Sequence, residues 1–160
     1  MSAKWDMQVA AVAAAGASLK HYQDSKIMGW LRTWLLKWPA ATTVGKTIYL
    51  ADNEWGTDMG ADTLRHELVH VRDYKRWWVL FSISYALLLP ALISMRAVWE
   101  WRGYRESLRA AWEEHKNEPQ ARDYYCSWVA DQFCGSGYGW MFPFHGYWMK
   151  KGQALWDSFK

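Results

Sequence analysis

Two histidines four residues apart, with a glutamate directly after the first, form the part of this chain that most directly indicates chemistry. The stretch reads His66-Glu67-Leu68-Val69-His70. On a helix, residues four apart lie on the same face, so both imidazoles can bind one zinc ion while Glu67 stands beside the open coordination position. The pattern predicts Zn²⁺ ligands at His66 and His70 and a general base at Glu67, as in a zinc-dependent hydrolase.

A catalytic zinc of this type needs a third protein ligand and keeps a fourth position for water. Residues 96–105 read as a second helix, in which Glu100 precedes the small residue Gly103 by one turn. With these residues the chain resembles the gluzincins, zinc peptidases whose third ligand is a glutamate on a later helix, and in particular their membrane-associated branch. The resemblance implies that Glu100 is the third ligand and that Gly103 permits close helix packing.

Neighbouring residues bear on that choice of ligand. Tyr104 stands where the family pattern has an aspartate, which is a departure from the pattern. Glu106 is the alternative ligand, but Arg102 and Arg109 are spaced from it as in ordinary surface ion pairs on a helix. Glu100 lies between two tryptophans and lacks such a set of partners, which favours Glu100.

The resemblance covers residues 42–110 and implies zinc-dependent hydrolysis of a peptide or protein substrate. Two alternatives stay open. In one, the zinc site belongs to a structural component of a larger assembly, such as a phage particle or envelope complex, and cleavage is secondary or absent. In the other, the protein is a non-enzymatic helical protein at a membrane surface and its motif is accidental. Localisation at a membrane or in an assembly is favoured.

Length and composition predict one domain, residues 1–160, that is mainly α with a small β element (α+β). We expect N-terminal helices over 1–41, a catalytic core over 42–110, and C-terminal helices with an aromatic loop over 111–160. The resemblance implies a compact zincin-like domain with an active-site helix, an apolar helical hairpin and a glutamate helix. A net charge of +3, without a basic block interleaved with aromatics, excludes a nucleic-acid footprint.

An uncharged apolar stretch at residues 77–95 is long enough to span a bilayer. A straight crossing, however, would put Glu100 on the order of 30 Å from His70. We therefore expect the stretch to reverse near residues 85–89 and Pro90, as a hairpin that contacts a membrane surface or caps the core. The fourteen tryptophans suit such a boundary, a peptide groove or a Trp-rich core.

The chain ahead of the motif predicts the supporting elements. We expect a helix within the Ala-rich residues 7–19, with no cleaved signal peptide, and an amphipathic helix over 26–38. Residues 42–50 predict the one convincing strand, which by resemblance is a sheet edge for an extended peptide. Asp62 is the expected N-cap of a motif helix that begins at Thr63.

Downstream elements complete the expected fold. Cys126 and Cys134 are expected to be buried free thiols, because eight residues of helix hold them too far apart for a disulfide. Tyr138 and His145 are candidate donors to a reaction oxyanion, and His21 and His115 are expected to be solvated. The expected segments are helices over 105–118, 124–133 and 147–159 and a glycine- and aromatic-rich loop over 134–146.

Overall fold

The computed structural model describes residues 2–26, 41–86, 90–135 and 144–160. These residues form five α-helices and one three-stranded sheet, which confirms a mainly helical chain with a small β element. The chain divides into two compact units, Met1–Ser82 and Ile83–Lys160. The elements are α1 (Ala3–Ala14), β1 (Ser18–His21), β2 (Thr42–Val44), β3 (Thr47–Leu50), α2 (Asp58–Ala86), α3 (Pro90–His115), α4 (Ala121–Cys134) and α5 (His145–Ser158).

The first unit opens with a helix that is shifted from the predicted range 7–19. Ser2 caps it, because the Ser2 hydroxyl accepts a hydrogen bond from the backbone N–H of Trp5 at 3.1 Å. The helix ends at Ala14, just before Gly16, whose φ of +59° favours glycine. The chain then forms β1, a strand that the sequence did not predict.

A small mixed sheet follows, in the order β1-β3-β2. β1 runs parallel to β3 and β2 runs antiparallel to it, with Thr43 opposite Ile48. The single strand expected over 42–50 is therefore a hairpin, which turns at Gly45 with a φ of +63°. Ile48 and Leu50 are fully buried and pack in one cluster with residues of α1 and α2.

The motif helix α2 begins five residues earlier than predicted, at Asp58. Thr57 caps it, since the Thr57 hydroxyl accepts a hydrogen bond from the N–H of Gly60 at 3.0 Å. Asp62 is not the cap; its carboxylate pairs with the Lys4 amine at 2.8 Å. Gly60 is required by space, because a Cβ there would lie 2.0 Å from the carbonyl oxygen of Glu54.

The apolar stretch is helical on both sides of its expected reversal. Helix α2 bends at Trp77, whose backbone angles are not helical, and continues to Ala86, and α3 begins at Pro90. The expected reversal at residues 87–89 lies outside the described residues, as do residues 27–38 of the predicted amphipathic helix. Within the described part of the chain, no helix is long and apolar enough to cross a membrane.

The second unit is built from α3, α4 and α5. Its core contains Phe133 stacked on Trp148, with ring centroids 3.8 Å apart, and Tyr104 packed edge-on against Phe133. Tyr104 is thus a core residue of this unit. The helices predicted over 96–105 and 105–118 are one continuous helix, α3, because no residue between them interrupts the helical backbone.

The two cysteines are both free thiols on α4, as expected. Cys126 is buried, and burial raises the pKa of its thiol to about 11. Cys134 is only partly buried, which corrects the expectation for that residue.

The two histidines expected to be solvated each have close partners. His21 stacks on Trp55, with ring centroids 3.7 Å apart, and its Nδ1 lies 2.7 Å from Asp52. His115 lies 2.7 Å from Glu118 in the same way and stacks on a tyrosine. Both rings are thus held in place although part of each side chain reaches solvent.

Candidate metal centre

Helix α2 holds the two motif histidines on one face. His66 and His70 are both buried, and their Nε2 atoms are 3.1 Å apart. The helix is fixed in this rotation because Leu64, Leu68 and Val71 are fully buried in the core cluster of the first unit. Their spacing of four and three residues places them on one face of the helix.

The separation of the two imidazole nitrogens suits a shared metal ion. Zinc binds histidine nitrogen at about 2.0–2.1 Å, so two such ligands of a tetrahedral ion stand about 3.3 Å apart. The observed 3.1 Å between the Nε2 atoms of His66 and His70 is close to that value. The distance between the two nitrogens is therefore compatible with a shared zinc ion.

Glu67 is also buried, and a strand residue holds its carboxylate. The Thr43 hydroxyl donates a hydrogen bond to Glu67 Oε2 at 2.6 Å. Thr43 lies on β2, the edge strand next to β3. The interaction holds one of the two carboxylate oxygens of Glu67. Thr43 was not among the residues predicted from sequence, because it precedes Glu67 by 24 positions.

A second carboxyl group lies in the electrostatic range of Glu67. Glu54 ends the short 3₁₀ turn Asp52–Glu54 that leads toward α2. Burial raises the pKa of Glu54, a hydrogen bond with Thr63 opposes the rise, and the negative charge of Glu67 adds to it. The net effect is a pKa of Glu54 above its ordinary value, with burial as the largest cause. Sequence reasoning missed this residue as well.

Glu100, on α3, is 4% exposed. Trp99 beside it is buried, whereas Trp101 is only partly so. Arg96 lies one turn earlier, with its Nε 3.9 Å from Glu100 Oε1. The expectation that Glu100 lacks the set of arginine partners that Glu106 has holds only in part, because its i−4 position carries an arginine, whereas its i+3 position is Gly103.

Three buried side chains could each offer one ligand atom to a metal ion: the imidazoles of His66 and His70 in the first unit and the carboxylate of Glu100 in the second. Their grouping around one ion stays a prediction. Glu106, the alternative ligand, is only partly buried. Two imidazoles and one carboxylate are a donor set that zinc accepts, with a fourth position left for water.

Of the two candidate oxyanion donors, the structure describes only His145. Tyr138 lies outside the described residues. His145 is exposed at the start of α5, and its Nε2 is 3.2 Å from the carboxylate of Asp131. A role for His145 in stabilising an oxyanion stays a prediction.

Comparison with known proteins adds no relative: the chain matches no protein-family model, no curated protein and no solved structure. The features that characterise the chain are therefore its mainly helical fold and the buried motif residues His66, Glu67 and His70. The resemblance to gluzincins, which is based on that motif and on Glu100, stays a prediction from the sequence.

Proposed function

We propose that the protein is a zinc-dependent peptidase of the gluzincin type, with His66, His70 and Glu100 as zinc ligands and Glu67 as general base. The observation that carries the proposal is the 3.1 Å approach of the two imidazole Nε2 atoms beside a buried glutamate. The hydrogen bond from Thr43 supports it further, since it orients the carboxylate that has to transfer the proton.

The chain's residues have separate tasks in this reaction. Zinc, when bound, supplies a Lewis acid and lowers the pKa of a coordinated water toward neutrality. Glu67 accepts a proton from the water that attacks the peptide carbonyl and then delivers this proton to the leaving amine nitrogen. Thr43 holds Glu67 Oε2, so we assign the proton transfer to Oε1.

A zinc site without cleavage is the second candidate function. It is favoured by the low exposure of the site, since His66, Glu67, His70 and Glu100 are each at most 7% exposed. A peptide substrate has to reach the metal, and burial of these four residues restricts that access. In this candidate Glu67 has no chemical task, and the protein serves as a component of a larger assembly.

Metal content and hydrolysis together test both candidates. Wild type purified without chelator should carry equimolar zinc by mass spectrometry, and His66→Ala and Glu100→Gln should lose it. His115→Ala is the matched control, because His115 lies outside the motif and should leave the zinc content unchanged. Circular dichroism of each variant checks that the fold is retained.

Glu67→Gln separates the two candidates. Under the peptidase proposal this variant keeps its zinc and loses hydrolysis of fluorescein-labelled casein, because the amide cannot accept the proton. If wild type and Glu67→Gln both bind zinc and neither hydrolyses casein, the role as an assembly component is favoured. A folded wild-type protein that binds no zinc would contradict both candidates.

A further inference from the structure

An apolar surface unrelated to the metal centre lies on the second half of α2. Four successive large side chains are exposed there: Trp77 by 46%, Trp78 by 63%, Val79 by 47% and Leu80 by 42%. We call these four residues the 77–80 surface. Such a run is unusual, because monomeric proteins rarely expose contiguous large apolar side chains without a binding role.

The 77–80 surface wraps around the helix. Successive helical residues are about 100° apart, so the side chains from Trp78 to Leu80 span about 200° of the circumference. Phe81 takes the remaining side, where it is buried and packs within ring-contact distance of Tyr74 and His70. The helix is thus anchored on one side and apolar toward solvent on the others.

Positive charge lies directly beside this surface. Arg72, Lys75 and Arg76 are exposed on the turn that precedes it, and the Arg76 guanidinium lies 5.6 Å from the ring centroid of Trp77. Asp73, within the same turn, is buried. The next acidic residue in the sequence is Glu100, so no carboxylate from the intervening chain offsets these cations.

We propose that the 77–80 surface docks the protein on a lipid bilayer that contains anionic headgroups. Tryptophan is enriched at the boundary between headgroups and acyl chains, and neighbouring arginine and lysine side chains are attracted to anionic lipid. A fluid bilayer can surround an apolar helix on several sides, whereas a flat protein surface covers one. This proposal is independent of zinc and of peptide cleavage.

The described part of the helix is long enough to reach into one leaflet. From Trp78 to Ala86, nine residues rise about 13 Å, which is less than half of a hydrocarbon core of about 30 Å. The basic turn stays at the headgroups, one turn back along the helix.

Vesicle flotation tests the proposal with the full chain. Wild type should float with vesicles that contain phosphatidylglycerol and bind pure phosphatidylcholine vesicles more weakly, and the difference should shrink as salt is added. Trp78→Ser should weaken partitioning to both vesicle types by about tenfold, because a large apolar side chain is no longer buried. Neutralising Arg72, Lys75 and Arg76 with glutamine should weaken binding about fivefold per charge, on the anionic vesicles alone.

Matched controls lie elsewhere on the surface. Met59→Ser removes an apolar side chain that is 69% exposed, and Lys150→Gln removes an exposed cation; both should float like wild type. Controls that lose binding as strongly as Trp78→Ser would overturn the proposal, as would wild type that floats with neither vesicle. The proposal would also be overturned if wild type dimerised without lipid in sedimentation velocity and Trp78→Ser abolished the dimer, because the 77–80 surface would then bind a second copy of the chain. Zinc content and casein hydrolysis are read separately, so loss of one proposal does not decide the other.

Discussion

Replacing Thr43 by valine tests whether a strand residue sets the efficiency of the proposed base. The hydroxyl donates to Glu67 Oε2 at 2.6 Å, which is in the range of short hydrogen bonds to an ionised carboxylate. Such bonds contribute about 1.5–3 kcal/mol. If all of that free energy orients Glu67 in the transition state, the loss corresponds to a decrease of about 10- to 150-fold in kcat. KM should change little, because Glu67 acts on water.

The assay compares Thr43→Val and Thr43→Ser with wild type. Casein hydrolysis gives kcat and KM, and mass spectrometry gives the zinc content. Serine keeps the hydroxyl, so Thr43→Ser should recover most of the kcat that Thr43→Val loses. Both variants should retain zinc, because neither removes a ligand. A merely structural role for Thr43 would lower stability in both variants and would leave kcat per folded molecule unchanged.

Three outcomes would refute the reasoning about Thr43. The first is a kcat of Thr43→Val equal to that of wild type. The second is an equal loss in the valine and serine variants, which would mean that the hydroxyl is irrelevant. The third is a loss of zinc on Thr43→Val, which would place its effect on the metal site and not on the base.

The remaining predictions concern stability and thiol reactivity. Gly60→Ala should lower the free energy of unfolding in urea by about 1–3 kcal/mol, because its Cβ would lie 2.0 Å from a backbone oxygen. The control Gly146→Ala places a Cβ that meets nothing within 4 Å, so its stability should be unchanged or slightly higher. Glu54→Gln should raise the free energy of unfolding at neutral pH but not below pH 4.5, the ordinary pKa of this carboxyl group. Because the pKa of Glu54 is raised in the folded protein, wild type loses stability as the pH rises through that pKa, whereas glutamine mimics the protonated form. A gain that is equal at both pH values would contradict this. In the native protein at mildly alkaline pH, Cys126 should react with iodoacetamide at least about tenfold more slowly than Cys134, since burial raises its pKa to about 11; equal rates in single-cysteine variants would exclude that difference.

The fold could be predicted from sequence where the signals are local. The apolar spacing of Leu64, Leu68 and Val71 is such a local signal for the buried face of α2, and all three are fully buried. β1 was missed because Ser18–His21 is a short stretch with little strand propensity of its own. It becomes a strand by pairing in parallel with β3, a partner 29 positions away along the chain.

The candidate site divides in the same way. His66, Glu67 and His70 could be identified because one helical turn relates them. Thr43 and Glu54 could not, because folding alone brings a strand and a 3₁₀ turn to the motif helix. The N-terminus of α2 was misjudged because Thr57 and Asp62 are both good capping residues. In the structure Thr57 caps the helix, whereas Asp62 pairs with Lys4.

The place of Thr43 gives β2 two tasks under the peptidase proposal. Among the described residues β2 pairs only with β3, and its other side is an edge of the sheet. An extended peptide that adds to this edge binds through backbone hydrogen bonds, whereas the Thr43 side chain holds Glu67. Backbone pairing contributes to substrate affinity and the hydroxyl to proton transfer. Changes at Thr43 that spare the strand therefore act on kcat, whereas loss of the strand raises KM as well.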